Sequence, residues 1–153
     1  MSYVDRHLQP GESVLYRTTV HWIVYAPAAL FLIATIGVWV AFPTTDSAFA
    51  TAKPYLADVL IALAALDWLR AFLRRVSTEL AVTDRRIVIK VGLIRRTTME
   101  MNRSKVESVA VHQGIWGRLL DYGTVVVKGT GGGVEPLKNI DRPLDFRSEI
   151  TAG

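Results

Sequence analysis

The run from Trp22 to Phe42, WIVYAPAALFLIATIGVWVAF, carries 21 residues without a charge and restricts the chain more than any other feature. As a helix it extends roughly 30 Å, the thickness of a bilayer's hydrocarbon core. A soluble domain can hide such a helix only in a large core, and 153 residues do not supply one. Trp22, Tyr25, Trp39 and Phe42 stand near its two ends, where amphipathic rings favour the headgroup layer. The run therefore reads as a membrane span.

After a loop, Pro43 to Pro54, the segment Tyr55–Leu73 (YLADVLIALAALDWLRAFL) reads as a second span that opens at Pro54, a residue favoured in a first helical turn. It holds Asp58, Asp67 and Arg70, and an ionisable group inside a membrane helix is a functional candidate by default. Asp58 and Asp67 fall on opposite faces at about 100° per residue, so they form no common polar stripe. Asp67, Arg70 and Arg74 share one face, which points to a local charge-neutralised cluster at the helix end. Ala57, Ala64 and Ala71 recur in register, and Gly37 and Ala41 lie four apart; small residues so placed suit close approach within the pair or between copies, a route to a homo-oligomer. Arg6 and Arg17 precede the first span and Arg70, Arg74 and Arg75 close the second, while the loop holds Lys53 against Asp46. The positive-inside rule then expects both termini in the cytoplasm. Ala48-Phe49-Ala50 resembles a signal-cleavage site, but the run before it is longer than a signal core and follows a long segment of mixed charge, so retained spans are expected.

The chain divides on this reading into an N-terminal segment with one strand (1–21), a transmembrane hairpin (22–75, spans 22–42 and 55–73) and a cytoplasmic domain (76–153). From Ser77 onward the hydrophobic period changes to two. Glu79–Thr83 and Arg86–Val91 are β-branched runs joined at Asp84-Arg85, and Gly92-Leu93-Ile94 turns into Arg95–Met101, with Thr97, Met99 and Met101 on one face. Ser104–His112 alternates again, and Thr124–Lys128 pairs with Val134–Lys138 across a glycine-rich turn. Between them Ile115, Trp116, Leu119 and Leu120 would line one side of a short helix. Asp141-Arg142-Pro143 is a helix-start signal, with Phe146 and Ile150 one turn apart. With Ser13–Val20 as strand one, the count is about seven strands, the membrane hairpin inserted between the first two.

The stretch ELAVTDRRIVIKVGLIRRTTMEMNRSKVESVAVHQGIWGRLLDYGTVVVKGTGG, preceded by Pro10-Gly11-Glu12, Tyr16-Arg17 and two spans, resembles the bacterial pleckstrin-homology (PH) domain family of the second type, formerly a domain of unknown function. The resemblance implies an all-β PH-like split barrel closed by a C-terminal helix, in a protein of the bacterial cytoplasmic membrane. It brings no known activity.

Chemistry is sparse. The absence of cysteine excludes disulfides, thiolate zinc sites, iron–sulfur clusters and thiol nucleophiles. His7, His21 and His112 lack the i, i+4 spacing of a zinc motif, and Gly129–Gly133 lacks the Gly-Lys-Ser/Thr of a phosphate-binding loop. No nucleophile elbow or paired-acid spacing is present, so the reading is a non-enzyme with no metal and no cofactor. The balance of 18 Lys+Arg against 14 Asp+Glu, net +4, is more informative. Arg74, Arg75, Arg85, Arg86, Lys90, Arg95, Arg96, Arg103 and Lys105 follow closely on the membrane exit and form the candidate surface for anionic phospholipid or a protein partner. In PH domains that grip phosphoinositides, spaced Lys and Arg across the first hairpin do so; Lys90 with Arg95 and Arg96 is similar in kind, though on a later hairpin. Nucleic acid is not expected, because the strands carry few of the aromatic rings that base stacking needs. The expected function is a membrane-anchored binding and scaffold module; the alternatives are an oligomeric subunit of a transport or channel assembly, or an accessory subunit of a larger membrane complex.

Overall fold

The computed structural model describes residues 4, 7–41, 47–92, 97–133 and 136–152. It divides the chain into two compact units, one of residues 1–21 with 74–153 and one of residues 22–73.

In the helical unit, a 3-10 turn at Trp22–Tyr25 leads into α1 (Ala26–Ala41), and α2 runs from Ser47 to Ser77. Among the described residues, Trp22–Ala41 is the one helix long and apolar enough to cross a membrane, with a mean hydropathy of 2.2 and 11% of it buried. The rings of Tyr25 and Trp68 lie 6.4 Å apart, and Lys53 Nζ donates to the Trp39 carbonyl at 3.1 Å, so α1 and α2 lie side by side and run in opposite directions. Ala28, Thr35, Ala57, Ala64 and Ala71 are the buried small residues of these helices, the spacing that close packing requires.

The second helix departs from the expected bounds at both ends. It starts at Ser47 rather than Tyr55, and Pro54 lies inside it. Proline removes one hydrogen bond, and the neighbouring Lys53, bonded to the Trp39 carbonyl and 4.6 Å above the Trp39 ring, pins the weakened turn. It also continues past Leu73, because Arg74 and Arg75 suit the negative end of the helix dipole.

Among the described residues of the other unit, seven strands of five to eight residues, with a two-residue β7, form two antiparallel sheets. The first sheet is β1 (Val14–Thr18), β2 (Glu79–Thr83), β3 (Arg86–Val91) and β4 (Thr97–Asn102), in that order. The second joins β5 (Val106–His112) to β6 (Tyr122–Gly129), which pairs with both β7 (Gly132–Gly133) and β8 (Leu137–Asp141). A short helix, α3 (Ile115–Leu119), links β5 to β6, and α4 (Pro143–Thr151) ends the chain. Two mainly β sheets with a C-terminal helix agree with a PH-like architecture. The last strand is Leu137–Asp141 and not Val134–Lys138; residues 134 and 135 lie outside the described residues. The register follows from burial, since it sets Ile140 opposite both Gly123 and the isolated bridge at Val20.

Period-two alternation builds the core. Leu80, Val82, Ile87 and Ile89 share the inner face of the first sheet, and Val125 and Val127 line the second. α4 touches β1 and β2 of one sheet and β5 and β6 of the other, burying Phe146 and Ile150. The outer face of β2 is buried too: Ala81 and Val88 are covered by Val4, Leu8 and Val14 of the N-terminal segment.

One ionic clasp fixes that segment. Arg86 Nε and Nη2 donate to the two Glu12 carboxylate oxygens at 2.9 and 2.8 Å. The Thr83 hydroxyl donates to Glu12 at 2.7 Å, and the Gln9 N–H at 2.8 Å. Arg86 also donates to Glu100 at 2.6 Å and to the His7 carbonyl at 2.8 Å. Burial pushes the Glu12 carboxyl up, but these donors, Arg86 foremost, outweigh it and hold the group at about 2, below its ordinary 4.5.

Two outcomes are expected. Because the folded-state pKa is depressed, the clasp's contribution is complete at neutral pH and is lost as pH falls from 4.5 towards 2. Glu12→Gln should cost about 3 kcal/mol at pH 7 and flatten the stability profile in that acid window, as read by chemical denaturation at several pH values. At Gly123 an added Cβ would lie 2.9 Å from the His112 carbonyl and 3.1 Å from Pro143. Gly123→Ala should therefore destabilise by about 1–3 kcal/mol, seen as a lower Tm of the detergent-solubilised protein.

Candidate binding surface

The structure separates the basic residues that sequence places together. Arg85 and Arg86 sit at the β2–β3 turn, and the Arg103 N–H donates to the Arg85 carbonyl at 3.1 Å, bringing the β4–β5 connection beside that turn. Lys105 is exposed in the same connection, a 3-10 turn at Arg103–Lys105. Lys90 stands at the far end of β3, about 13 Å from Arg86 at roughly 3.3 Å per residue, opposite Glu79 in the register. Arg74 donates to the Lys138 carbonyl at 3.1 Å, and the Arg75 carbonyl accepts from the Thr19 hydroxyl at 3.2 Å. Arg95 and Arg96 lie outside the described residues.

Several of these cations are already occupied. Arg86 is committed to Glu12 and Glu100. Arg103 Nη2 donates to the Glu149 carbonyl at 2.6 Å, satisfying the C-terminal end of α4, where orphan carbonyls attract a cation. Arg85 and Lys105 remain as exposed basic side chains at this end of the first sheet.

Beside Lys105 opens a groove of about 320 Å³, lined by Met99, Glu100, Met101 and Asn102 from β4, by Thr130 and Gly131 of the β6–β7 turn and by Gly132 of β7. Gly129 makes it possible. Its missing side chain lets the Lys105 carbonyl and the Met101 sulfur approach within 2.8 and 2.6 Å of where a Cβ would lie. The Thr130 N–H then donates to that carbonyl at 3.1 Å. Thioether side chains adapt their shape to apolar guests, and one cation and one carboxylate, Lys105 and Glu100, flank them. β4 ends one sheet and β5 ends the other, and an edge strand offers unpaired backbone groups to an added strand. Sequence alternation identifies Met99 and Met101 as one face of a strand; the groove arises from Gly129, 28 residues beyond Met101, and alternation carries no signal of that approach.

In the helical unit Arg70 Nη1 and Asp67 Oδ1 are 3.4 Å apart, and Asp58 is exposed.

In the short helix after β5, Ile115, Trp116 and Leu119 are 87%, 67% and 72% exposed, and the buried residue of α3 is Gly117. Gly117 packs so closely on the start of β6 that a Cβ there would lie 2.6 Å from the Tyr122 carbonyl, so this turn of α3 needs a glycine.

Comparison with the curated proteins and with the solved structures gives no match. In comparison with known families, residues 22–152 match the family described as the bacterial PH domain. The match takes in both helices, all strands after β1 and α4, so it covers most of the chain. The protein belongs to the bacterial PH domain family.

Proposed function

We propose that the protein is a non-enzymatic, membrane-anchored binding and scaffold module that carries its PH-like unit on the cytoplasmic side of the bacterial membrane. Membership of a PH-like family supports a binding role. One observation supports the double anchoring: β1 and β2 are register partners, Thr18 opposite Leu80 and Arg17 opposite Ala81, although residues 19–78 intervene. Paired strands lie on the same side of any bilayer. If Trp22–Ala41 crosses, a single crossing would part β1 from β2, whereas a return through α2 keeps them together. The Asp67–Arg70 pair and the burial of Lys53 against Trp39 lower the cost of α2's charges. The excess of Arg over acid at the flanks sets the paired strands on the cytoplasmic side.

A protein segment at the Met99–Met101 groove is favoured over lipid headgroups, because Arg86 and Arg103 are internally bonded and Lys90 faces Glu79. Anionic phospholipid remains within the chemistry of exposed Arg85 and Lys105, at about 1 kcal/mol per basic residue near the surface.

The cysteine-free chain makes the topology directly measurable. A cysteine placed at Thr44 should react with an impermeant maleimide added to intact spheroplasts, and one at Ser108 should react only after lysis; labelling of both from one side would remove the double span. For the groove, a photo-crosslinking residue at Thr130, which lines it and is exposed, should yield one discrete protein adduct in membranes. Gly131→Glu, a substitution with open space around its Cβ, should reduce that adduct about tenfold or more by placing a charge in the groove. Adducts with lipid alone would favour headgroup binding instead.

A further inference from the structure

The apolar side chains of α3 require a partner, and the geometry points to the lipid bilayer: Ile115, Trp116 and Leu119, with Leu144 of α4, seat in the interfacial layer beside the point where the chain enters its first span. This inference rests on the membrane anchoring proposed above.

On a helix Gly117 points inward, so Ile115 and Leu119 project furthest outward, with Trp116 and Arg118 on the two flanks. Leu144 is 51% exposed and shares a recess with His112, Gln113 and Arg118 at the base of this helix. Ile115, Trp116 and Leu119, each more than half exposed on five residues of helix, are a cluster rather than scattered surface residues, and Leu144 lies across the recess at the helix base. Trp with aliphatic neighbours and a flanking Arg is the composition of segments that lie in a membrane interface.

The position of the patch within its own unit selects the occupant. Gln113 Nε2 donates to both the Gly117 and the Tyr122 carbonyls, each at 3.2 Å, which holds α3 against the start of β6. The Tyr122 ring stacks on His21 with centroids 5.3 Å apart, and the His21 N–H donates to the Asn139 carbonyl at 2.7 Å. His21 is the last residue before the apolar helix Trp22–Ala41. A bilayer that receives Trp22 is therefore close to α3 through two well-fixed residues.

The size of the patch argues the same way. Four side chains offer on the order of 500 Å² at most, short of the roughly 800 Å² that each side of a stable protein interface buries. A surface tethered to its target needs less, because the anchor supplies a high effective concentration.

Spin labelling of the full chain in vesicles of phosphatidylcholine and phosphatidylglycerol tests this. Nitroxides would be attached to single cysteines at Leu119, at Val40 of α1, which is 77% exposed, and at exposed Lys128. The expected result is that the Leu119 label collides more with oxygen than with a water-soluble nickel chelate, as at Val40 and the reverse of Lys128. A Leu119 label as open to nickel as that at Lys128, with Val40 still in lipid, overturns the inference and leaves the anchoring intact. Shielding of Leu119 from both quenchers assigns the patch to a second protein and overturns it as well. Nickel access at Val40 would instead overturn the anchoring itself.

Discussion

The contact between Glu12 and Arg86 is the constraint on which the sheet unit depends. It joins residues 74 positions apart, on either side of the helical insertion, and both charges are withdrawn from water. A buried carboxylate is tolerable only when its oxygens are satisfied, and Glu12 accepts from Arg86, Thr83 and Gln9. The same clasp positions the turn before β1, so that Val4, Leu8 and Val14 cover Ala81 and Val88. Without it the outer face of the most buried strand would face solvent.

That clasp also redistributes function. A guanidinium held by two carboxylates and a carbonyl has little left to offer a phosphate, and Arg103 has likewise been spent on the end of α4. The face that is richest in basic residues is thereby made structural. What the fold leaves open is softer chemistry: a thioether groove beside the edge strand β4, and the exposed apolar side chains of α3.

Local signals made much of this readable from sequence. The apolar run after His21, the β-branched alternation of Glu79–Thr83 and Arg86–Val91, and the Pro143, Phe146, Ile150 pattern each encode one element through its own residues. Features set by distant partners were not readable. Arg86 looks like any surface arginine until Glu12 is folded against it. The start of α2 at Ser47 depends on Lys53 reaching Trp39 on another helix, which no propensity at Pro54 reveals. The period of Ile115, Trp116 and Leu119 correctly signals one apolar side, yet periodicity does not say whether that side faces the core; the close approach of Gly117 to Tyr122 decides it. The final strand lies later than its turn signals suggest because Ile140 is drawn into the core by Val20 and Gly123.

The pairing of β1 with β2 across residues 19–78 carries a consequence for how the protein is made. At about 5–20 residues per second, β1 leaves the ribosome several seconds before its partner strand exists. Throughout that interval it is an unpaired strand with an exposed backbone, and loop closure across some sixty residues would be entropically slow in a free chain. Helices that associate early bring their outer ends together and turn that long loop into a short one. The insertion therefore serves as a folding jig for the sheet that it interrupts.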